Sequence, residues 1–146
     1  MNKSTPYEAV SILLVEDDDI DAEGIKRALR KLKVANPFYR ARDGIEGLEM
    51  IRNELLNSPY LILLDLNMPR MGGIAMLKEI RKDPLLTQSV IFVLTTSKDD
   101  EDKMSAYKEH IAGYILKSSL DSGFNDLIQL LDHYWRLVEF PVIVGK

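Results

Sequence analysis

Three carboxylates follow two apolar segments of the chain, at positions where they could share one cation. Glu16 and Asp17 come directly after the segment SILLV, and Asp65 comes directly after LILL. Carboxylates that converge repel one another and tend to hold protons unless a cation lies among them. Mg²⁺ suits one or two carboxylates, a carbonyl oxygen and several waters, and a carboxylate beside it can attack phosphorus. These residues therefore indicate a magnesium site at which an aspartate accepts a phosphoryl group.

Two further polar residues could complete such a site. Thr95 follows the apolar segment VIFVL, and Lys117 follows GYIL. In phosphoryl transfer the protein mainly positions groups and neutralises charge on the equatorial oxygens of the phosphoryl group. Mg²⁺, the Lys117 ammonium and the Thr95 hydroxyl could each contact one of these oxygens. We therefore include both residues in the candidate site.

Each residue also has an ordinary structural explanation. Asp65 could be a turn residue where a strand leaves the core, and Thr95 could be one of the β-branched residues that favour strands. Carboxylates also cap helices, where they accept N–H bonds and face the positive end of the helix dipole. We expect Asp18 or Asp19 to cap the first helix, which leaves Asp17 as a metal ligand.

The elements that position these residues alternate along the chain. Four apolar segments, at residues 11–15, 61–64, 90–94 and 113–116, are typical of parallel strands covered by helices on both faces. Residues 38–42 alternate between apolar and polar side chains and indicate an edge strand. Segments with helical spacing lie between the strands. This pattern predicts an α/β fold, a doubly wound five-stranded parallel sheet in the order 2-1-3-4-5 with five helices.

The predicted sheet brings the candidate residues together. In this strand order, ligands bind outside the carboxyl ends of the strands, where the first and third strands adjoin. All candidate residues follow strands, so we expect them at one end of the sheet: Glu16, Asp17, Asp65, Thr95 and Lys117.

The last two helical segments differ in apolar character. Residues 99–109 are mostly polar, and we expect Met104, Tyr107 and Ile111 to anchor this least firmly held helix. Residues 121–138 are strongly amphipathic. Beyond them, Pro141 cannot continue a helix, so an extended arm should follow.

The apolar residues near the end of the chain indicate an interface. Residues 134–144 carry more apolar side chains than we expect one small domain to cover, and exposed apolar patches usually mark interaction sites. Trp135 and Phe140 are the largest of these side chains. The alternative is that the arm folds back on its own sheet. We expect instead a homodimer through the fourth helix, the fifth strand and the fifth helix, a region that contains Tyr114.

Length and charge define the class of protein. The chain has 146 residues, a net charge of −4 and no cysteine, which fits one globular domain without disulfides or a thiolate metal site. The acidic balance argues against DNA binding, and no apolar segment is long enough to span a membrane. We expect a cytoplasmic protein with a domain at residues 10–139, a short N-terminal tail at residues 1–9 and a C-terminal arm at residues 140–146.

The chain resembles a receiver domain of two-component response regulators. The resemblance extends from residue 12 to about residue 138 and rests on LLVEDD, LLDLNMP, the pair Thr95-Thr96, and GYILK ending at Lys117. It implies the flavodoxin-like receiver fold, and phosphorylation of Asp65 by a sensor histidine kinase or a histidine phosphotransfer protein. Within the family, the segment VLTTS at residues 93–97 and a long last helix followed by FP at residues 140–141 are most similar to single-domain regulators that partner with bacterial phytochrome histidine kinases.

The resemblance also implies a role for each site residue. Four oxygen donors would bind Mg²⁺: Asp17, Asp65, the backbone carbonyl of Asn67 and, through water, Glu16. Asp65 would be the phospho-acceptor, and its phosphoryl group would contact two further side chains, Thr95 and Lys117. Thr95 would also act as a switch residue together with Tyr114, which would match the aromatic residue that turns inward on activation.

Two positions depart from the family pattern. Ser118 stands where most receivers have a proline, often after a cis bond. A cis bond before any other residue costs about 3 kcal/mol, so we expect a trans Lys117–Ser118 bond. Gly72 stands where Asp or Asn usually precedes the glycine matched by Gly73, and this weakens a helix cap.

Other functions compete with a phospho-accepting switch. A receiver-like interaction module that does not use phosphorylation is consistent with Ser118, but the presence of Asp65 and Lys117 argues against it. A magnesium-dependent phosphohydrolase would normally have a second aspartate where Asn67 stands. Residues 17–21, DDDID, have the spacing of a calcium loop but are not followed by its turn glycine.

Overall fold

The computed structural model describes residues 10–55 and 59–141 of the chain. The predicted tail at residues 1–9 and the end of the predicted arm, residues 142–146, lie outside the described residues. Within the described ranges, no helix is long and apolar enough to cross a membrane.

Five parallel strands form one sheet. They are β1 (Ser11–Val15), β2 (Phe38–Ala41), β3 (Tyr60–Leu64), β4 (Val90–Thr95) and β5 (Gly113–Leu116). Their order is β2-β1-β3-β4-β5, which confirms the predicted doubly wound sheet. Every residue of β1 and β3 is buried, because helices cover both faces of the central strands. β2 lies at one edge of the sheet, as its alternating pattern predicts.

Five α-helices connect and cover the strands. They are α1 (Asp19–Lys31), α2 (Gly44–Met50), α3 (Gly73–Lys82), α4 (Asp100–Lys108) and α5 (Asn125–Leu137). A π-helical segment, Ile51–Leu55, continues α2, and a short 3-10 turn, Lys117–Ser119, follows β5. The number of helices agrees with the prediction.

Two hydrophobic layers lie on opposite faces of the sheet. Successive strand residues point to opposite faces, so Leu13 and Ile62 pack with α2 and α3 while Ile12 and Leu61 pack with α1 and α5. Trp135 of α5 is 2% exposed and belongs to the second layer. The two layers hold the sheet rigidly and leave its carboxyl edge free for polar residues.

The helix starts follow the local cap chemistry. Asp18 caps α1, where its carboxylate accepts hydrogen bonds from the backbone N–H groups of Ile20 and Asp21 at 2.9 and 3.2 Å. The expectation that Asp18 or Asp19 caps this helix is confirmed, and Asp17 is left outside the cap. Gly72 caps α3 without a side-chain hydrogen bond, as its departure from the family pattern predicts.

The predicted anchors of the fourth helix are partly wrong. Met104 is 64% exposed and Tyr107 is also exposed, whereas Ala106 and Ile111 are buried. The anchor at Ile111 is confirmed, and those at Met104 and Tyr107 are wrong. The face of α4 that carries Ala106 is the one that packs on the core.

The expected exposure of the C-terminal apolar residues is wrong for Trp135 and Phe140, whereas Leu137 and Val138 are exposed. Trp135 lies in the core, and the ring of Phe140 packs edge-on against Tyr134 with centroids 5.8 Å apart. The start of the arm therefore packs against its own domain. The helix begins later than predicted, since Phe124 is left-handed and the Asp121 carboxylate accepts hydrogen bonds from the first N–H groups of α5.

The close approach of α3 to the end of β3 predicts the effect of one substitution. A Cβ at Gly73 would overlap the backbone oxygen of Asp65 and lie 2.8 Å from the Cα of Leu66, whereas a Cβ at Gly72 would lie 3.1 Å from its nearest neighbour. We expect Gly73→Ala to lower the free energy of unfolding by about 2 kcal/mol or more, because the backbone must shift. Urea denaturation should show a clearly smaller loss for the control Gly72→Ala, and equal losses would contradict the prediction.

Candidate functional site

The carboxyl edge of the sheet gathers the candidate residues as predicted. Glu16 follows β1, Asp65 follows β3, Thr95 ends β4 and Lys117 follows β5. The backbone N–H of Asp65 donates to the carbonyl of Val15 at 3.0 Å, so the β1 and β3 ends stay paired up to the site. The parallel register therefore brings residues from four strands to one edge.

Three carboxylates form a cluster at this edge. Carboxylate oxygens of Glu16, Asp17 and Asp65 lie within 4.8 Å of one another. Glu16 and Asp65 are buried, while Asp17 is exposed. Clustered carboxylate oxygens, two of them withdrawn from water, are the donor set of a hard divalent cation. The residues present thus fit a divalent metal ion.

Asp65 is held by its own backbone environment. The N–H of Leu66 donates to Asp65 Oδ1 at 2.8 Å, and this bond orients the carboxylate. Asn67 lies two residues farther along the loop that leads to α3 and is exposed. The role of its backbone carbonyl as a metal ligand stays a prediction.

Lys117 forms two ion pairs, one of which sequence reasoning missed. Its Nζ donates to Glu16 Oε1 and to Asp21 Oδ2, both at 2.7 Å. Asp21 lies one helical turn after Asp17, and side chains of the first turn point back toward the helix start, which is the signal that could have identified it. The Lys117–Ser118 bond is trans, so that prediction is confirmed.

Burial and hydrogen bonding together shift the pKa values of Glu16 and Lys117. Burial raises the pKa of Glu16 to about 7, because it outweighs the hydrogen bond from Lys117 and is reinforced by the neighbouring charge of Asp65. Burial alone would lower the pKa of Lys117, but the hydrogen bonds to Asp21 and Glu16 prevail and raise it above its ordinary value. Lys117 is therefore a permanent cation at this edge.

Thr95 and Tyr114 meet through the loop between β4 and α4. Thr95 is fully buried, and its Oγ1 accepts a hydrogen bond from the Ser97 N–H at 3.3 Å, whereas Thr96 is exposed. The Tyr114 hydroxyl donates to the Ser97 carbonyl at 2.9 Å. Ser97 Oγ in turn donates to Asp102 of α4 at 2.7 Å. A movement of the Thr95 end of β4 would therefore reach Tyr114 and α4 through Ser97.

Comparison with known proteins decides the family. The sequence profile of the response regulator receiver domain matches residues 12–131. The chain belongs to the response regulator receiver family. The fold of this receiver, with its strand order and five helices, is the one that the resemblance implies.

Individual relatives of the receiver support the same assignment. Response regulator Rcp1 from Synechocystis sp. is 33% identical over 128 residues, which cover 85% of this chain and 87% of Rcp1. The crystal structure of the phosphorylated cyanobacterial phytochrome response regulator RcpA is 33% identical, with a TM-score of 0.80 over 90% of this chain and 98% of that one. The Mn²⁺-bound form of Rcp1 has a TM-score of 0.78 at 32% identity over 91% and 99% of the two chains. The receiver is thus similar to phytochrome response regulators over most of its length.

An arginine from the edge strand fixes the acidic loop of the receiver. Arg40 of β2 donates from Nε and Nη2 to the carbonyl of Glu16 at 2.9 and 2.7 Å, and its Nη1 lies 2.9 Å from Asp19. Sequence reasoning predicted the edge strand but assigned Arg40 no role. The guanidinium holds the backbone between β1 and α1, so Glu16 and Asp17 project from a braced loop.

A second arginine fixes the loop that carries Asn67. Arg70 has a left-handed backbone with φ of 61°, and its Nε donates to Asp43 Oδ2 at 2.7 Å. Burial would raise the pKa of Asp43, but this bond and the Glu46 N–H hold the pKa below its ordinary value. The N–H of Gly44 also donates to the carbonyl of Met71 at 3.0 Å. The loop after Asp65 is thereby attached to the start of α2.

The raised pKa of Glu16 predicts how stability depends on pH in metal-free buffer. Between its unfolded value of 4.5 and the folded value of about 7, the folded protein binds a proton that the unfolded chain has lost. The contribution of Glu16 to the free energy of unfolding is therefore fully present at low pH and is lost as pH rises through about 7. Relative to Glu16→Gln, the wild-type free energy of unfolding should fall by about 1 kcal/mol from pH 6 to pH 8. Urea titrations with parallel pH profiles for the two proteins would contradict this.

Proposed function

We propose that the protein is a single-domain response regulator that accepts a phosphoryl group on Asp65. The donor would be a sensor histidine kinase or a histidine phosphotransfer protein, and the location would be cytoplasmic. The carboxylate cluster around Asp65, with Lys117 beside it, is the observation that carries this proposal. Rcp1 is a response regulator, and RcpA is a cyanobacterial phytochrome response regulator. The similarity to these two proteins supports a bacterial phytochrome as the kinase.

The residues of the cluster suggest how the transfer would proceed. Mg²⁺ would be held by Asp17, Asp65 and the Asn67 carbonyl, with Glu16 acting through water, and would supply charge neutralisation for the phosphoryl oxygens. Asp65 Oδ2 would attack the phosphorus of a phosphohistidine, forming the acyl phosphate bond while the phosphorus–nitrogen bond breaks and the histidine leaves. Oδ2 is the better nucleophile because Oδ1 already accepts the Leu66 N–H.

The signal would travel from the phosphoryl group through Thr95. Thr95 and Lys117 would each donate a hydrogen bond to a phosphoryl oxygen. A rotation of the Thr95 hydroxyl would disturb its bond with the Ser97 N–H, and Tyr114 contacts the carbonyl of the same residue. Thr95 and Tyr114 would thus act together as the switch, and α4 would follow through Asp102.

Two alternatives receive less support. A receiver-like module that works without phosphorylation would have no need to bury Glu16 and Asp65 beside Lys117, since burying charges is costly. A phosphohydrolase would need a general acid at the position of Asn67. The protein would therefore have no turnover on external substrates beyond slow loss of its own phosphoryl group, and its net charge of −4 argues against DNA as a partner.

The assignment of Asp65 as the single phospho-acceptor can be tested with acetyl phosphate and Mg²⁺. Intact-mass spectrometry should show one added phosphoryl group on the wild-type protein and none on Asp65→Asn, whose side chain has the same shape but cannot form an acyl phosphate. Asp19→Asn is a matched control, because Asp19 lies near the same edge but pairs with Arg40 and Arg42 outside the cluster. Equal labelling of Asp65→Asn and the wild-type protein would refute the assignment.

We also propose a homodimer through the surface formed by α4, β5 and α5. Several exposed apolar side chains on the two helices support it: Met104, Tyr107, Leu130 and Leu137. β5 has a single neighbouring strand, so this side of the sheet is open to a second copy. Trp135 and Phe140, which pack in their own domain, take no part in the proposed surface.

A charge placed on this surface should separate the two copies. Leu137 is 82% exposed and Ile20 of α1 is 83% exposed, so lysine at either position leaves the core intact. Sedimentation equilibrium should show a weaker dimer for Leu137→Lys, because the ammonium would have to be desolvated in the interface. Ile20→Lys should dimerise like the wild-type protein. A wild-type monomer at high concentration, with and without beryllofluoride, would exclude the dimer.

A further inference from the structure

The ammonium of Lys117 is held on the α1 side of the acidic edge. Its side chain is only 12% exposed and its two hydrogen-bond partners are Glu16 and Asp21, both at 2.7 Å. Among the described residues, no hydrogen bond joins Lys117 to Asp65. The lysine that would contact the phosphoryl group is therefore directed to other carboxylates.

The two carboxylates that hold Lys117 differ in what else they do. Glu16 belongs to the carboxylate cluster and also accepts a hydrogen bond from the Asp18 N–H. Asp21 lies outside the cluster, and within the described part of the chain its carboxylate has one hydrogen bond, the bond to Lys117. The cluster can thus keep all its oxygens if Lys117 leaves Asp21. The hydrogen bond between Lys117 and Asp21 can therefore break without any change in the carboxylate cluster.

The geometry of an ammonium makes this bond relevant to the phosphoryl group. Lys117 has three N–H donors, and the two ion pairs orient two of them. A phosphoryl group on Asp65 would offer strongly charged acceptor oxygens, to which charge-assisted hydrogen bonds are short and strong. The Asp21 carboxylate would compete with this phosphoryl group for the Lys117 ammonium. The ion pair between Asp21 and Lys117 is only partly exposed, so solvent screens it weakly.

We infer that Asp21 is a positioning residue that retains Lys117 on α1 and opposes its transfer to a phosphoryl group on Asp65. The inference rests on the proposed function, since it concerns the strength with which the phosphorylated state is held. It assigns to α1 a control over the acceptor site that does not involve any metal ligand. The phosphorylated state would form more readily in a protein without this carboxylate.

The test measures how tightly the acceptor site binds beryllofluoride, a phosphoryl mimic, in the presence of Mg²⁺. Isothermal titration calorimetry should give a dissociation constant roughly threefold to tenfold lower for Asp21→Asn than for the wild-type protein, the range typical of coupled neighbours. Glu23→Gln is the control, because it removes one negative charge from the same helix at an exposed position that pairs with Lys26 and not with Lys117. This control should bind like the wild-type protein.

A double-mutant comparison separates positioning of Lys117 from a general loss of negative charge. If Asp21 acts through Lys117, the Asp21→Asn effect should vanish in a Lys117→Met background. Should Lys117→Met bind beryllofluoride too weakly, the same four proteins are compared by their rates of labelling with acetyl phosphate, followed over many hours by intact mass.

Each result has a distinct meaning for the inference. Unchanged or weaker binding by Asp21→Asn, or an equal gain in both backgrounds, would overturn it while leaving the proposed function in place. A wild-type protein that neither binds beryllofluoride nor reacts with acetyl phosphate would instead refute the proposed function. Tighter binding that depends on Lys117 supports both.

Discussion

Compensation of buried negative charge at the carboxyl edge is the constraint on which the rest of the site depends. Glu16 and Asp65 are buried there beside Asp17, and a buried charge without a partner costs several kcal/mol. Lys117 compensates one charge through its direct bond to Glu16. The remaining excess is negative, and this fits a divalent cation at the edge. The proposed phosphoryl transfer would depend on that cation, because it would neutralise the charge of the phosphoryl oxygens.

Two arginines outside the carboxylate cluster fix the loops that carry its carboxylates. Carboxylates that repel would spread apart if their loops were free, but Arg40 binds the backbone after β1 and Arg70 binds the start of α2 from the loop after β3. Neither guanidinium contacts a cluster carboxylate in the described hydrogen bonds. They act on backbone position and leave the cluster oxygens available for a metal ion. The site therefore combines fixed loops with a carboxylate cluster that keeps a net negative charge.

Much of this arrangement could be predicted from the sequence, because strand positions are a local property. Continuous apolar segments identify buried parallel strands, and the residue after each strand then falls at a known edge, which explains why Asp65 and Lys117 were located correctly. The contacts of Lys117 were not, since its bond to Asp21 joins residues 96 positions apart and depends on where the start of α1 lies relative to the end of β5. The wrong start of α5 has a different origin: Phe124 adopts a left-handed conformation, which its residue type does not predict.

The tight packing of Gly73 against the end of β3 has a consequence for how a signal leaves the site. The first residue of α3 lies directly on the backbone oxygen of Asp65, and its N–H donates to the carbonyl of Leu66 at 3.0 Å. With no side chain between them, there is no rotamer that could absorb a displacement. A shift of a few tenths of an ångström at the Asp65 backbone would therefore displace the start of α3 directly. Under the proposed function, phosphorylation of Asp65 would act on α3 through this contact as well as on Thr95.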